Sequence, residues 1–315
     1  MQFTRRDLGK MAIAALPASS LLAKLNSKFG GVQIGINAPY SFHGMPPGAD
    51  DIIKYMTQLN LSAVELRTQP VEAFLGAPVV PVAPGGRNKT AETPEKKAER
   101  KAAEEALDKW RLSVTVDQLK AFRKKYEDAG ILIQIVKVDH IDTMSDDLVD
   151  YAFTVAKTLG AHALSCEIPL SKTPRLGEFA TKHKLMVGYH GHTNITNPEA
   201  FAKPESWEKA MTYSKYNGIN LDIGHFTAAN YDAVAFIEKH HDKITNLHIK
   251  DRKRDHAPNV EWGKGDTPLK EVLLLLKKNK YPFPANIELE YPIPEGSNLM
   301  AEFKKCLAYA KNILV

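Results

Sequence analysis

The chain has 315 residues, 43% of them apolar and 25% charged, with a formal net charge of +5. That length and composition exclude a disordered segment and a single small domain, and leave either two domains or one large α/β barrel. The charge is too slight for a nucleic-acid footprint: residues 1–23 hold Arg5, Arg6 and Lys10 against Asp7, +2 in all, so the remainder carries only +3.

Taken in order, the chain opens with Thr4-Arg5-Arg6-Asp7-Leu8-Gly9-Lys10, then a small-residue apolar run from Met11 to Leu16, then Pro17 and small residues up to Ala23. Paired arginines, a Leu two residues later, a Lys and a weakly apolar core resemble a twin-arginine export signal over residues 1–25. The expected location is periplasmic, reached as a folded protein. The apolar run is too short to span a bilayer, and no later stretch is long enough. No membrane anchor is therefore expected once the signal is removed.

From Val32 short β runs alternate with helical periodicities. Strands are predicted at 32–38, 63–68, 131–138, 162–168, 185–192, 219–225, 244–250 and 285–291. Ser145 marks the start of a helix over 146–159. Pro204 and Ser206 begin a segment that stops at Asn217-Gly218, and Thr267-Pro268 opens a helix carrying Leu269, Val272, Leu273 and Leu276. Eight βα units with no linker between them predict a single α/β domain, a (β/α)8 TIM barrel from about residue 30 to 315. An open doubly wound sheet is the alternative, but no glycine-rich phosphate loop follows the first strand.

An insertion at 76–112, after the second strand, breaks the rhythm. It begins Pro-rich and becomes highly charged, with Thr93-Pro94-Glu95 as a helix start and a thin apolar stripe of Ala98, Ala102, Ala106 and Trp110. The plain reading is a solvated helix pinned by Trp110. Its place on the C-terminal face of the barrel also allows a lid or a subunit contact, which leaves homo-oligomerisation open. Cys166 and Cys306 match no metal-knuckle or disulfide spacing.

The chemistry collects at strand ends. The fourth strand ends in Glu167, the fifth in His190 and His192, the sixth in Asp222 with His225 three residues on, the seventh in His248, and the eighth in Glu288 and Glu290. In a barrel these ends converge on one face, so five consecutive strands offer carboxylate or imidazole to one point. That pattern predicts one divalent ion, with Mn²⁺, Co²⁺ or Zn²⁺ favoured over Mg²⁺ and Ca²⁺ by the imidazole content. Of the two glutamates on the last strand, Glu290 is nearer the mouth and is the expected ligand, with Glu288 in support. His190, His192 and Lys250 are the candidate bases; His225, Lys250 and Arg252 are placed to meet substrate oxygens.

The span from Val32 onward resembles the xylose isomerase-like superfamily of TIM barrels, also called sugar phosphate isomerase/epimerases. The matching stretches are GYHGHTN (188–194), LDIGH (221–225), LHIKDR (247–252), WGKGDTP (262–268) and IELEYP (287–292). The resemblance implies a small carbohydrate substrate and an ion held by Asp222, His248 and Glu290, plus an acidic residue on a middle strand. Ketohexose 3-epimerases place a Glu where this chain has His190, and Glu167 is the candidate for the missing carboxylate. The implied reaction is α-proton abstraction through a metal-stabilised enediolate. Its outcome is isomerisation, epimerisation or, in a 3-keto-glycoside lyase or hydratase, elimination. The alternatives are a non-catalytic sugar-binding barrel and, less well matched, a DNA-repair nuclease like endonuclease IV, which needs histidines that the second and third strands lack.

Overall fold

The computed structural model describes residues 25–81 and 92–315. The export-signal segment through residue 24 and the middle of the insertion, 82–91, lie outside the described residues. Eight parallel strands form the barrel: β1 (Val32–Ala38), β2 (Ala63–Arg67), β3 (Leu132–Lys137), β4 (Ala163–Cys166), β5 (Met186–His190), β6 (Asn217–Asp222), β7 (Ile244–Ile249) and β8 (Ala285–Ile287). Each pairs with the next, and β8 returns to pair with β1, Ile287 opposite Ile36, so the sheet closes. This is the predicted (β/α)8 architecture. The helices are α1 (Ala49–Gln58), α2 (Thr68–Phe74), α3 (Pro94–Arg111), α4 (Val116–Asp128), α5 (Asp146–Thr158), α6 (Thr173–His183), α7 (Pro204–Met211), α8 (Ile223–Ala228), α9 (Ala233–His240), α10 (Leu269–Asn279) and α11 (Leu299–Leu314). Among the described residues no helix is long and apolar enough to cross a membrane. Cys166 and Cys306 are both free and buried.

Side chains alternate along each strand. One set is apolar (Ile34, Ile36, Val64, Leu66, Leu221, Leu247, Ile249) and belongs to the main hydrophobic core. The other set points into the barrel, as hydrogen bonds between strands that are not neighbours show: Asn220 Nδ2 on β6 donates to Glu65 Oε1 on β2 at 3.2 Å, and Asn246 and Asn286 donate to Glu65 Oε2 at 2.9 and 3.2 Å. The interior here is therefore a polar network around Glu65, which is fully buried. Buried polar groups need partners; this network supplies most of them and holds the floor beneath the strand ends.

The strands are shorter than predicted at their C-terminal ends, because several chains turn into helices or loops where the chemistry begins. β6 stops at Asp222, whose side chain caps α8, and β8 stops at Ile287. The insertion helix starts as predicted, with Thr93 Oγ1 accepting from Lys96 N at 3.3 Å. Its alanine stripe is not what anchors it: Ala98, Ala102 and Ala106 are exposed. The anchor is Arg111, which donates to buried Glu72 at 2.8 and 3.1 Å.

Candidate metal centre

Asp222 closes β6. Its Oδ1 accepts from the backbone N–H of His225 at 2.7 Å, which satisfies the first turn of α8 and leaves Oδ2 facing the barrel. That oxygen is buried without a hydrogen-bond partner, in charge contact with Lys250 Nζ at 2.8 Å. Burial pushes the Asp222 carboxyl up to about 6, against the pull of Lys250.

His248 lies level with Asp222 on β7. Its Nε2 is 2.5 Å from Glu65 Oε2. A carboxylate only accepts, so Nε2 carries the hydrogen and Nδ1 is the nitrogen available to a ligand. Nδ1 is buried with no hydrogen-bond partner, 3.3 Å from Glu288 Oε1. Burial opposes charge on this ring, but Glu65 and Glu288 override it and push its pKa up to about 10. Coordination through Nδ1 therefore requires loss of that proton.

Glu288 follows β8 directly, with its backbone N–H still donating to Ile249 O at 3.2 Å. Oε1 accepts from Asn37 at 2.8 Å and Oε2 from Lys250 at 2.7 Å. Burial alone would raise its pKa; Lys250 and His248 hold it well below the usual carboxylate range. His190 ends β5, buried, with Nδ1 also lacking a partner. Burial, then the charges of Lys137 and His248, keep this imidazole neutral.

His190, Asp222, His248 and Glu288 offer donor atoms that all lie within 4.8 Å of one another. Of these, His190 Nδ1 is buried without a partner among the described residues, Asp222 Oδ2 meets the Lys250 ammonium at 2.8 Å, and His248 Nδ1 lies 3.3 Å from Glu288 Oε1, so carboxylate and imidazole are concentrated at one buried point. Two imidazoles with two carboxylates suit a divalent transition metal. The residues present fit such an ion.

The remaining site residues surround this group. Glu290 sits outside it: Oε1 accepts from Tyr40 Oη at 2.5 Å and Oε2 from Lys250 Nζ at 2.5 Å, at the rim. Burial works against charge on Lys250, but Asp222, Glu288 and Glu290 raise its pKa further, so it is a fixed ammonium rather than a base at neutral pH. Glu167 is also outside. It accepts from buried Lys137 and from His192 Nε2, the latter at 3.0 Å. Burial is outweighed there by His192 and Lys137, which hold Glu167 ionised. His192, half exposed at the mouth, therefore keeps Nδ1 as its basic nitrogen. His225 contacts Lys250 Nζ at 2.9 Å and Arg252 Nη1 at 2.5 Å, and burial followed by Lys250 keeps it neutral. Arg252 is further committed to Ala257 O at 2.6 and 3.1 Å.

One glycine sets the spacing of the two histidines. A Cβ on Gly191 would lie 2.4 Å from the Trp207 ring and 2.5 Å from Phe201 O. Trp207 is itself fixed by donating Nε1–H to Tyr189 O at 2.8 Å. The bare backbone at Gly191 lets the chain pass this wall, with His190 inside and His192 at the rim.

Residues 171–310, which carry β5 to β8 and every member of the four-donor group, match the family model described as xylose isomerase-like TIM barrel. That stretch is less than half of the chain, and the described residues as a whole fold as a (β/α)8 TIM barrel. The barrel superposes on a sugar phosphate isomerase/epimerase of Parabacteroides distasonis with a TM-score of 0.55 at 15% identity, over 90% of this chain and 96% of that one. It also superposes on the IOLI protein with a bound zinc atom, with a TM-score of 0.58 at 13% identity, over 90% and 96%. At these identities the likeness is one of fold. An inosose dehydratase of Lactiplantibacillus plantarum is 34% identical over 80 residues, a stretch that spans a quarter of each chain.

Of the residues expected as ligands, the structure brings Asp222 and His248 together and groups them with His190 and Glu288, while Glu290 and Glu167 lie alongside. Glu65 and Lys137 were passed over in the sequence. Lys137 ends its strand, LIQIVK, which is the signal that marked the later strands, whereas Glu65 lies inside AVELR, where that signal does not reach.

Proposed function

We propose that this chain is a divalent-metal-dependent enzyme that removes the proton next to a carbonyl of a sugar or keto-sugar and then expels a β-oxygen, as a keto-glycoside lyase or hydratase. The observation that carries the reading is the convergence of buried donor atoms of His190, Asp222, His248 and Glu288, all within 4.8 Å of one another. An ion held by these residues would supply Lewis acidity toward a substrate carbonyl.

The chain's own groups do the rest. His192 takes the α-proton on Nδ1, held in the correct tautomer by Glu167, which Lys137 anchors from within the barrel. Lys250 stays charged and stabilises negative charge as it grows on substrate oxygen. The C–O bond β to the carbonyl breaks, and its oxygen leaves with a proton as an alcohol or water; nothing is oxidised or reduced. Elimination is favoured over epimerisation because the site holds one carboxylate-oriented base, His192, with a histidine where two-carboxylate epimerases carry Glu. The dehydratase relative, matched over a quarter of its length, points the same way. The Thr4–Ala23 segment supports an exported protein that meets glycosides outside the cytoplasm.

The test is deuterium exchange. Metal-loaded protein in D2O is mixed with 3-keto-glucosides and with free ketoses, and proton NMR follows the α-position and the released alcohol. The reading expects exchange and alcohol release from the keto-glucosides, both lost in His192→Ala while the ion is retained. Tight sugar binding with neither would make this a non-catalytic sugar-binding barrel.

A further inference from the structure

A cavity of about 560 Å³ opens beside the barrel mouth, between the insertion helix α3 and the ends of β2 and β3. Its walls include Thr68 and Gln69 at the start of α2, Asp139 and His140 after β3, and Leu107 and Leu112 from the insertion. The volume lies in the range of ligand pockets, roughly 300–1,000 Å³.

Two features tie this groove to the metal centre and suggest an occupant. The first is a line of contacts. Asp139 accepts from Gln69 at 2.8 Å and from Arg67 at 2.5 and 2.6 Å. The Arg67 guanidinium lies 5.3 Å over the Tyr40 ring, and Tyr40 donates to Glu290, which contacts Lys250. Arg67 Nε is buried with no partner along this line. The second is α3 itself. It has 18 residues and buries none of them, so it adds nothing to the core while costing chain entropy to order. The ion pair of Arg111 with buried Glu72 nevertheless fixes its C-terminal end against α2. Leu112, just beyond, is 56% exposed and faces the groove. A planar amide and a carboxylate at one edge, hydroxyls nearby and an exposed Leu make a surface for a pyranose, whose edges carry hydroxyls and whose faces carry C–H bonds.

We propose that this groove is a second sugar subsite, and that the substrate is a glycoside of at least two rings. The carbonyl-bearing ring sits at the metal centre and the second ring lies between α3 and the β2 and β3 ends. This rests on the reading of the centre as a keto-sugar enzyme and chooses among its substrates.

The experiment compares a 3-keto-disaccharide with the single-ring 3-keto methyl glucoside as substrates of the metal-loaded full chain, alongside Gln69→Ala and Leu112→Ala. The proposal expects the disaccharide to have the higher kcat/KM by about tenfold, because binding at a remote ring is used at the reacting one. In both variants that ratio falls below about threefold. Equal kcat/KM for the two substrates in the wild type, or variants that leave the ratio unchanged, would overturn the groove while leaving the keto-sugar reading intact. Turnover of neither substrate would count against the keto-sugar reading instead. Calorimetry with the unoxidised disaccharide then decides the groove separately: binding weakened in both variants supports it, and no binding to the wild type overturns it. An oligomer in sedimentation that Leu112→Ala dissociates would assign α3 to a subunit contact and likewise overturn it.

Discussion

Glu65→Gln, combined with a pH titration of metal affinity, probes the most specific electrostatic feature of the centre. His248 holds a proton up to about pH 10 because Glu65 and Glu288 flank it, yet Nδ1 must lose that proton to bind an ion. At pH 7, three units below that pKa, the displacement costs roughly 4 kcal/mol. Affinity should therefore rise about tenfold per pH unit between pH 6 and 8.5. Below about pH 6 Asp222 must also give up a proton, and the dependence should steepen to about a hundredfold per unit. Glu65→Gln keeps the shape and an oxygen to accept from Nε2–H but removes the charge. The His248 pKa then moves down, and the slope above pH 6.5 flattens. The same pair sets a stability signature. A histidine pKa raised from its ordinary 6.5 contributes stability that is fully present below pH 6.5 and lost as pH rises through about 10. Metal-free wild type should lose Tm over that window and the variant should lose less. The assay is competition with a chromophoric chelator from pH 5.5 to 8.5. Affinity independent of pH between 6.5 and 8.5 in the wild type would refute the reasoning, since His248 would then be neutral or no ligand.

Three further outcomes follow from the geometry. Glu288→Gln should lower ion affinity by at least about a hundredfold, whereas Glu290→Gln, which alters the Tyr40, Lys250 and Asn259 contacts, should keep the ion; the reverse order in metal analysis would move the ligand to Glu290. Gly191→Ala forces a methyl against Trp207 and should cost about 1–3 kcal/mol, read as a lowered Tm in thermal denaturation, with weaker ion binding because His190 shifts too; an unchanged Tm would mean that the wall yields. Arg111→Met leaves buried Glu72 unpaired and should speed amide exchange throughout α3 while the barrel strands stay protected; protection of α3 equal to wild type would show another anchor.

Much of this was legible in the sequence because a barrel converts strand order into convergence. Asp222 and His248 announce themselves as charge at the end of apolar runs, and closure places them side by side. Parity alone could not choose between Glu288 and Glu290, which point the same way. The choice depends on where β8 stops pairing, at Ile287, and that is set by the register with β7 and β1 rather than by local pattern. Glu167 looked like a ligand from its place at a strand end; Lys137, one strand earlier, draws it into the pair with His192 instead. Glu65 was hidden because it lies inside its strand and acts through His248 from across the barrel, a contact 183 residues apart in sequence. The exposed α3 alanines agree with the solvated helix that the charge run and thin stripe led one to expect, whereas the ion pair of Arg111 with Glu72, 39 residues apart, left no local pattern.

The central claim is that His190, Asp222, His248 and Glu288 hold a divalent ion. It is tested most directly by elemental mass spectrometry on the purified full chain beside Asp222→Ala and His248→Ala. The account predicts about one Mn, Co or Zn per wild-type chain and loss of that ion in both variants. A wild-type chain that carries no metal, and gains no thermal stability when any of these ions is added, would contradict it.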